Sequence, residues 1–376
     1  MTIPYGRQSI DEDDIAAVAA ALRSDWLTTG PAVAAFEEAV AVVAGAPHGV
    51  AVATGTAGLH CAVFAAGLGP GDEVIVPPIT FVASANAVLY EGATPVFADV
   101  KAGSLLLDPD CVEDRITPRT RAIVGVDYAG QPCDWDRLRD LATRHGLILI
   151  DDACHALGAT FHGRPVGSLA DLTVFSFHPV KHITTGEGGL VTTADPAMDR
   201  AMRRFRSHGI GATAAHREAA ADWRYEQTAL GFNYRITDLQ CALGISQLRK
   251  APAWLDRRRA LAAAYDRDLE GLPGVRPLAR EPHREHAYHL YVIRLDTTRH
   301  DREAVFRRLR ADGIGVNVHY IPVHLQPYHR KRLGTGVGLC PVAEAAYEGL
   351  LSLPLHQSLT DDQRARVVDR LAAALG

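Results

Sequence analysis

The chain has 376 residues, of which 47% are hydrophobic and 22% charged, a composition typical of a globular protein that excludes a largely disordered one. Its net charge of −5 excludes a protein that binds nucleic acid through a broad basic surface. The six scattered cysteines show no metal-binding or disulfide spacing, and no apolar run approaches the ~20 residues of a membrane span, so we expect a cytoplasmic protein with reduced thiols that works without a membrane.

Two helices are predicted at the start of the chain. Ser9–Glu12 has the Ser-x-x-Glu pattern of a capping box, and apolar residues follow it at helical spacing. This acidic beginning lacks the cationic and then apolar order of an export signal, so we expect none. A second helix is predicted from Pro31 to Val43, ended by Gly45 and Pro47.

From residue 50 onward, short apolar strands alternate with helical segments such as Trp135–Arg144. Near-continuous apolar strands separated by helices predict an α/β fold with a mainly parallel central sheet covered by helices on both faces. The predicted strands are Val50–Ala53, Glu73–Val76, Pro95–Ala98, Ala122–Val126, Leu147–Ile150, Leu172–Phe175 and Leu190–Thr193.

The pattern changes after about residue 237. A long helical segment runs to about Leu269, and Pro252 is expected to kink or divide it. The elements that follow predict a smaller α+β unit, so we divide the chain into a large domain of residues 1–250 and a small domain of residues 251–376. The predicted elements are strands Tyr288–Leu295 and Val316–Tyr320, helix Arg302–Asp312 and a terminal helix from Asp361.

The strongest chemical signal is a lysine in the segment Ser176–Gly189, directly after an apolar strand. The chain has only four lysines, and the other three lie in charged or polar surroundings. Between hydrophobic strands and a glycine-rich turn, Lys181 would be partly desolvated, which lowers its pKa and makes it a nucleophile. The alternative is a solvated lysine in a surface loop.

Two acids, Asp151 and Asp152, follow the apolar run Leu147–Ile150, at the strand end where α/β proteins bind ligands. A carboxylate there can hold a heterocyclic nitrogen protonated, because the attraction at ~3 Å and an effective dielectric constant near 20 is on the order of 5 kcal/mol. The alternative is a pair of acids that cap a helix.

Two further segments complete a pattern. The small-residue turn Ala53–Leu59 joins a strand to a helix and can bind phosphate through free backbone N–H groups. Thr80 and Phe81 follow the next strand and offer either an aromatic contact or a core side chain. A phosphate turn, an aromatic ring, an acid and a desolvated lysine are the four groups that pyridoxal 5′-phosphate requires.

The chain resembles the DegT/StrS family of fold-type-I sugar aminotransferases, which depend on pyridoxal phosphate, over essentially its whole length. This resemblance implies a fold like that of aspartate aminotransferase. The matching segments are Trp26–Pro31, Gly55–Ala57, Val76–Phe81, Asp151–His155, Ser176–Lys181, Gly186–Gly189 and Leu230–Gln240.

The resemblance implies a role for each residue around the cofactor ring. Lys181 forms the Schiff base, and Asp152 contacts the pyridine nitrogen. His155 lies by the 3-hydroxyl group, and Phe81 stacks on the ring. Many relatives carry Gln at the position of His155, and Trp or Tyr at that of Phe81.

The resemblance also implies how the phosphate is held. Thr56, Ala57 and Ser176 bind it from one chain, and Asn233 reaches it from the neighbouring subunit. A buried phosphate needs several donors, and one chain supplies only part of them. The chain is therefore expected to form a homodimer with two shared active sites.

The family resemblance indicates a nucleotide-linked 4-keto-6-deoxy sugar as substrate and L-glutamate, released as 2-oxoglutarate, as amino donor. Val126–Cys133 and Phe177–Gly188 look most like the UDP-4-amino-4,6-dideoxy-N-acetyl-β-L-altrosamine transaminases of pseudaminic acid biosynthesis. Another nucleotide-sugar or aminocyclitol transaminase is the alternative. The predicted substrate contacts are Thr29, Glu187, His324 and His329.

Three other interpretations fit the sequence less well. A sugar dehydratase of this scaffold has histidine in place of the Schiff-base lysine, and Lys181 counts against it. A non-catalytic protein that senses the cofactor or a nucleotide sugar would not need the complete set of groups. A metal site is not predicted, because neither histidine series has two ligands on one helical face beside a carboxylate. Those series are His283, His286 and His289, and His319, His324 and His329.

Overall fold

The computed structural model describes residues 2–211 and 223–376. Helix α1 covers Glu12–Leu22, and helix α2 covers Pro31–Ala44 with Gly45 in the left-handed conformation at its end. The capping box of α1 is formed by Asp11 and Asp14, so the predicted box over Ser9–Glu12 is wrong. Aspartate is an N-cap residue as good as serine, and the acid three positions later closes the box.

A seven-stranded sheet forms the centre of the fold, and each of its strands overlaps one of the seven predicted from the sequence. The strands are β1 His48–Val52, β2 Glu73–Val76, β3 Thr94–Phe97, β4 Thr120–Val126, β5 Ile148–Asp152, β8 Leu172–Ser176 and β9 Gly189–Thr193. Their spatial order is β1-β9-β8-β5-β4-β2-β3. The strands β8, β5, β4, β2 and β3 run parallel, and β9 is antiparallel between β1 and β8. The predicted mainly parallel sheet is confirmed.

Helices and short strands surround this sheet. Helices α3 to α7 are Gly55–Ala65, Ala83–Tyr90, Pro109–Glu113, Trp135–His145 and Pro196–Phe205. The short strands β6 Thr160–Phe161 and β7 Arg164–Pro165 pair with β11 Arg284–Glu285 in a second sheet. A third sheet has the order β10 Val275–Pro277, β12 Tyr291–Leu295 and β13 Leu350–Leu353.

Helix α8, Asp238–Leu269, has 32 residues and continues through Pro252 without being divided. Leu255 and neighbouring side chains pack in the core around the large sheet, whereas Leu261 and Leu269 pack in a second core with β10, β12 and β13. Packing at both ends keeps the helix continuous where proline removes a hydrogen bond. The domain division at residue 250 stays a prediction.

The C-terminal helices are α9 Arg302–Ala311, α10 Pro327–Leu333, α11 Pro341–Gly349 and α12 Asp361–Leu375. The predicted strand Val316–Tyr320 is wrong: only a single bridge joins Asn317 to Ser352. The Asn317 side chain accepts the Val318 N–H at 2.8 Å and so replaces a strand partner. Strand β12 starts at Tyr291 because the left-handed backbone of Tyr288, φ +50°, interrupts the extended chain before it.

Among the helices of residues 2–211 and 223–376, none is long and apolar enough to cross a membrane. All six cysteines lie in this part of the chain and are free thiols.

Candidate active site

The predicted phosphate turn lies where β1 leads into α3. Thr54 caps the helix, and its hydroxyl accepts the Ala57 N–H at 3.0 Å. A Cβ atom on Gly55 would lie 2.9 Å from that of Ser176, and one on Gly189 would lie 2.5 Å from the Thr54 carbonyl oxygen. The helix start therefore meets the end of β8 and the start of β9 at a distance that only glycine allows. We call this turn the cradle, because N–H groups at a helix start are suited to bind an anion.

Thr56 is the half-buried residue of this cradle, next to the buried Ala57. Ser176 ends β8, is half-buried, and accepts the His178 N–H at 3.4 Å. The structure thus brings together all three residues that were predicted to bind phosphate within one chain.

Lys181 lies in the segment 177–188, which joins β8 to β9. Backbone hydrogen bonds between the two ends of this segment close it into a loop. Phe177 donates its N–H to the Gly188 carbonyl at 2.9 Å and accepts the Thr185 N–H at 3.0 Å. The Lys181 side chain is half-buried, and its Nζ lies 3.5 Å from Nε2 of His289. Burial lowers the pKa of Lys181, although the charges of Cys154 and Asp152 oppose the shift. Such an amine is more easily neutral and nucleophilic than an exposed lysine.

Asp152 ends β5 and is buried. Its Oδ2 accepts the Ser84 hydroxyl at 2.6 Å, and its Oδ1 accepts the Cys154 N–H at 3.3 Å. These donors hold an acceptor in place for a protonated ring nitrogen. Thr80 Oγ1 lies 2.7 Å from Ser84 Oγ and extends the network.

Asp151 occupies a different environment. It is fully buried, and neither of its carboxylate oxygens has a hydrogen-bond partner within the described residues. Burial, together with the negative charges of Asp127 and Asp152, raises its pKa well above the ordinary value. Successive strand residues point to opposite faces, so Asp152 and not Asp151 shares a face with Ser84.

Three aromatic side chains, His155, Tyr320 and Phe81, lie close together near Asp152 and Lys181. His155 Nε2 lies 3.2 Å from the Tyr320 hydroxyl, and burial lowers the pKa of His155 well below its ordinary value, so its ring is neutral. Phe81 is 56% exposed, and its ring centroid lies 6.1 Å from that of Tyr320. A largely exposed aromatic ring beside a buried polar network is suited to cover a flat ligand.

The predicted substrate contacts lie in two environments. His324 is fully buried with Nε2 2.8 Å from Glu344 Oε1, and His329 is buried against the ring of Phe97. Thr29 is exposed with φ +56°, a rare backbone conformation for a β-branched residue. Glu187 is also exposed. A substrate contact for each of the four stays a prediction.

Asn233 is exposed, and its segment lies against the phosphate turn of its own chain. The Tyr234 carbonyl accepts the Ala53 N–H at 2.8 Å, and Asn233 forms a single β-bridge with Ser207.

In the described part of the chain, no group of three or more His, Cys, Asp or Glu side chains could hold a metal ion.

The sequence did not single out Ser84, His289 or Tyr320 as site residues. Ser84 could have been found from its position four residues after Thr80 at a helix start. His289 and Tyr320 reach the site from more than 100 residues away in the chain, and no motif connects them to it.

Comparison with known proteins agrees with this geometry. The model of the DegT/DnrJ/EryC1/StrS aminotransferase family matches residues 8–372. The chain belongs to this family. It is 40% identical to the spore coat polysaccharide biosynthesis protein SpsC of Bacillus subtilis (strain 168). The alignment covers 98% of this chain and 95% of SpsC.

Two solved structures show the same fold. The putative sugar aminotransferase Spr1654 of Streptococcus pneumoniae, in its PMP form, is 33% identical with a TM-score of 0.94, over 99% of this chain and 98% of that one. PseC of Helicobacter pylori, an aminotransferase involved in the biosynthesis of pseudoaminic acid, is 32% identical with a TM-score of 0.93, over 100% and 99%. The family member described here is a fold-type-I sugar aminotransferase that uses pyridoxal 5′-phosphate.

The residues fit this cofactor. The cradle at Gly55 excludes any side chain, which is what close approach of a phosphate to backbone requires. His155 keeps a buried Nδ1 without a hydrogen-bond partner in the described residues, and Lys181 offers an amine of lowered pKa. Together with Asp152, these groups match the phosphate, ring substituent, aldehyde and pyridine nitrogen of the cofactor.

Proposed function

We propose that the protein transfers the amino group of L-glutamate to the keto carbon of a nucleotide-linked 4-keto-6-deoxy sugar, with a UDP-linked N-acetylated hexose as the first candidate. The half-buried Lys181 amine carries the proposal, because the loop that holds it also joins the phosphate cradle and its charge interacts with that of Asp152. The likeness to PseC and SpsC supports a sugar of a surface polysaccharide or glycoconjugate.

The residues of the chain have separate tasks. Bound pyridoxal phosphate supplies an aldehyde and a ring that withdraws electrons. Lys181 would hold the aldehyde end of the cofactor through its amine, and the free amine would carry a proton as base and then as acid. Asp152 keeps the ring nitrogen protonated. Phe81 covers the ring, and His155 faces its 3-hydroxyl group.

Binding of the phosphate is assigned to Thr56, Ala57 and Ser176. These residues lie at one helix start and the adjoining strand end, where N–H and hydroxyl donors are available to an anion. Phosphate binding fixes the cofactor through the ring carbon next to the one that carries the aldehyde. The ring is then oriented before any substrate binds.

The active form is proposed to be a homodimer in which Asn233 reaches the partner's phosphate cradle. Asn233 is exposed, and the segment around it exposes large apolar side chains that a partner would cover. These are Trp223, Tyr225, Leu230 and Phe232.

The cytoplasm is proposed as the compartment of the protein, which the six free thiols support.

The substrate pocket is proposed to include the exposed residues Thr29 and Glu187 and the segment from His324 to Arg332. Arg330, Lys331 and Arg332 lie in the last turn of α10 and give a positive surface for a nucleotide diphosphate. His324 and His329 would act within this segment by fixing its backbone, since both side chains are buried.

The catalytic assignment is tested by adding L-glutamate to the purified protein and following the visible absorbance of bound cofactor. We expect glutamate to remove this band in the wild type but not in Lys181→Ala, which should stay folded and lack turnover. Asp152→Asn should keep some cofactor and lose most activity. Persistent turnover in Lys181→Ala would overturn the assignment.

Substrate and assembly need separate experiments. A panel of UDP-, GDP- and dTDP-linked 4-keto sugars with L-glutamate, analysed by mass spectrometry, identifies the acceptor. Mixing Asn233→Ala with Lys181→Ala chains tests the shared site, because a heterodimer contains one site with both native residues. Recovery of part of the activity supports the dimer, whereas heterodimers without recovery would refute it.

A further inference from the structure

Most buried histidines in the described residues are hydrogen-bonded to groups other than the active-site lysine, whereas His289 is not. His182 bonds the Ala287 carbonyl at 3.1 Å, His319 bonds Ser352 Oγ at 2.8 Å, and His324 bonds Glu344. The side chain of His289, which is 4% exposed, has one hydrogen bond in the described residues, and it goes to the Lys181 amine at 3.5 Å.

The position of His289 is fixed independently of the lysine. Its backbone carbonyl and that of Tyr288 accept from Nη1 of Arg258 at 3.4 and 3.1 Å. Arg258 is fully buried on α8. The ring of His289 also packs against that of His155 with centroids 4.4 Å apart. The imidazole is thus held in place before Lys181 moves.

Burial and the neighbouring positive charges both favour the neutral form of His289. Burial lowers the pKa of His289 well below its ordinary value, and the positive charges of Lys181 and Arg258 act in the same direction. A neutral imidazole accepts at one nitrogen only. Nδ1 is buried and meets no hydrogen-bond partner within residues 2–211 and 223–376, so Nε2 is the nitrogen available to the amine.

We propose that His289 is a positioning residue for Lys181: its Nε2 accepts one N–H of the free amine and so directs the nitrogen lone pair toward the reacting carbon. The inference rests on the proposed role of Lys181. No proton needs to leave the amine for this contact, since the hydrogen bond only restricts its rotation. Formation of the bond between Nζ and the cofactor aldehyde, in which the aldehyde oxygen leaves as water with the two amine protons, should therefore be faster with His289 than without it.

Two amide substitutions separate position from polarity. In His289→Gln the amide can reach the place of Nε2, whereas in His289→Asn it ends near the place of Nδ1. Mixing apoenzyme with pyridoxal phosphate and following the visible band gives the rate of bond formation. We expect about a tenfold slower rate for His289→Asn, the effect of one lost hydrogen bond, and a rate within about threefold of wild type for His289→Gln.

The affinity for pyridoxamine phosphate distinguishes a positioning role of His289 from a merely structural one, because only structural damage would lower it. Pyridoxamine phosphate has no aldehyde, so its binding does not require the amine to be oriented, and its affinity for His289→Asn should stay within about threefold of wild type. His182→Gln is the matched control, since this buried neighbour of Lys181 bonds only to a carbonyl. Both its rate and its affinity should match the wild type.

Three results would overturn the proposal: a wild-type rate in His289→Asn, a rate in His289→Gln as slow as in His289→Asn, or an equal loss of pyridoxamine phosphate affinity. If circular dichroism shows His289→Asn to be unfolded, His289→Met, which is apolar and of similar size, replaces it with the same expectations. Borohydride reduction of Lys181→Ala followed by mass spectrometry tests the lysine itself. A cofactor still trapped on that variant refutes the proposed function, separately from His289.

Discussion

Replacing Ser84 by alanine would remove the hydroxyl that supports Asp152. Ser84 Oγ donates to Oδ2 of Asp152 at 2.6 Å, and the two residues are 1% and 6% exposed. Solvent therefore has little access to replace the lost donor. The other donor to this carboxylate within the described residues is the Cys154 N–H, whose bond of 3.3 Å is the longer of the two.

The expected cost follows from this geometry. Hydrogen bonds to charged groups contribute about 1.5–3 kcal/mol, so we expect Ser84→Ala to lower the free energy of unfolding by about 2 kcal/mol. That is roughly a 30-fold change in the folding equilibrium constant. Urea denaturation of the apoenzyme, with an unchanged dependence on denaturant, measures it.

The control for this experiment is Ser168→Ala. Ser168 is exposed, and its hydroxyl bonds to the carbonyl of Pro165 three residues away at 2.8 Å. We expect its free energy of unfolding to stay within about 0.5 kcal/mol of wild type. If Ser84→Ala costs no more than this control, Ser84 does not hold the Asp152 carboxylate.

Three further substitutions test other parts of the structure. Gly189→Ala places a Cβ 2.5 Å from the Thr54 carbonyl oxygen and should weaken pyridoxamine phosphate binding about tenfold through overpacking, whereas Gly336→Ala, with no atom within 4 Å, should not. Arg258→Met leaves three carbonyls without their donor and should destabilise the protein by about 3 kcal/mol or more in urea unfolding; a smaller loss would contradict this. Burial raises the pKa of Asp127 to about 7, so the native state keeps a proton that the unfolded state loses near pH 4. The contribution of Asp127 to the free energy of unfolding falls as pH rises from about 4 to 7. Asp127→Asn should therefore increase the free energy of unfolding more at about pH 8 than at about pH 5. An equal increase at both pH values would refute the raised pKa of Asp127.

Local sequence patterns predicted most of the sheet correctly. Strands such as Leu172–Ser176 are buried on both faces and therefore read as continuous apolar runs. Two predicted elements were wrong because a side chain accepted a backbone N–H that the prediction had assigned to another partner. At the first helix Asp11 provided the cap in place of Ser9, and at Val318 the Asn317 amide occupied the N–H that a strand would have used.

The candidate site was predictable to the extent that it lies at strand ends. Lys181, Asp152 and the turn at Thr54 each follow a recognisable strand, and parallel strands bring their carboxyl ends to one edge. His289 and Tyr320 belong to segments that follow α8 in the chain. Their approach to the site depends on how these segments pack, and no local pattern encodes such packing.

The closed loop around Lys181 limits how the enzyme can be engineered. Because Phe177 bonds to both Gly188 and Thr185, an insertion between β8 and β9 would break these bonds or displace the lysine from the cradle. Changes of loop length are tolerated best in exposed segments without such closure. Libraries intended to alter substrate choice should therefore vary the exposed chain near Thr29 and leave the length of the segment 177–188 unchanged.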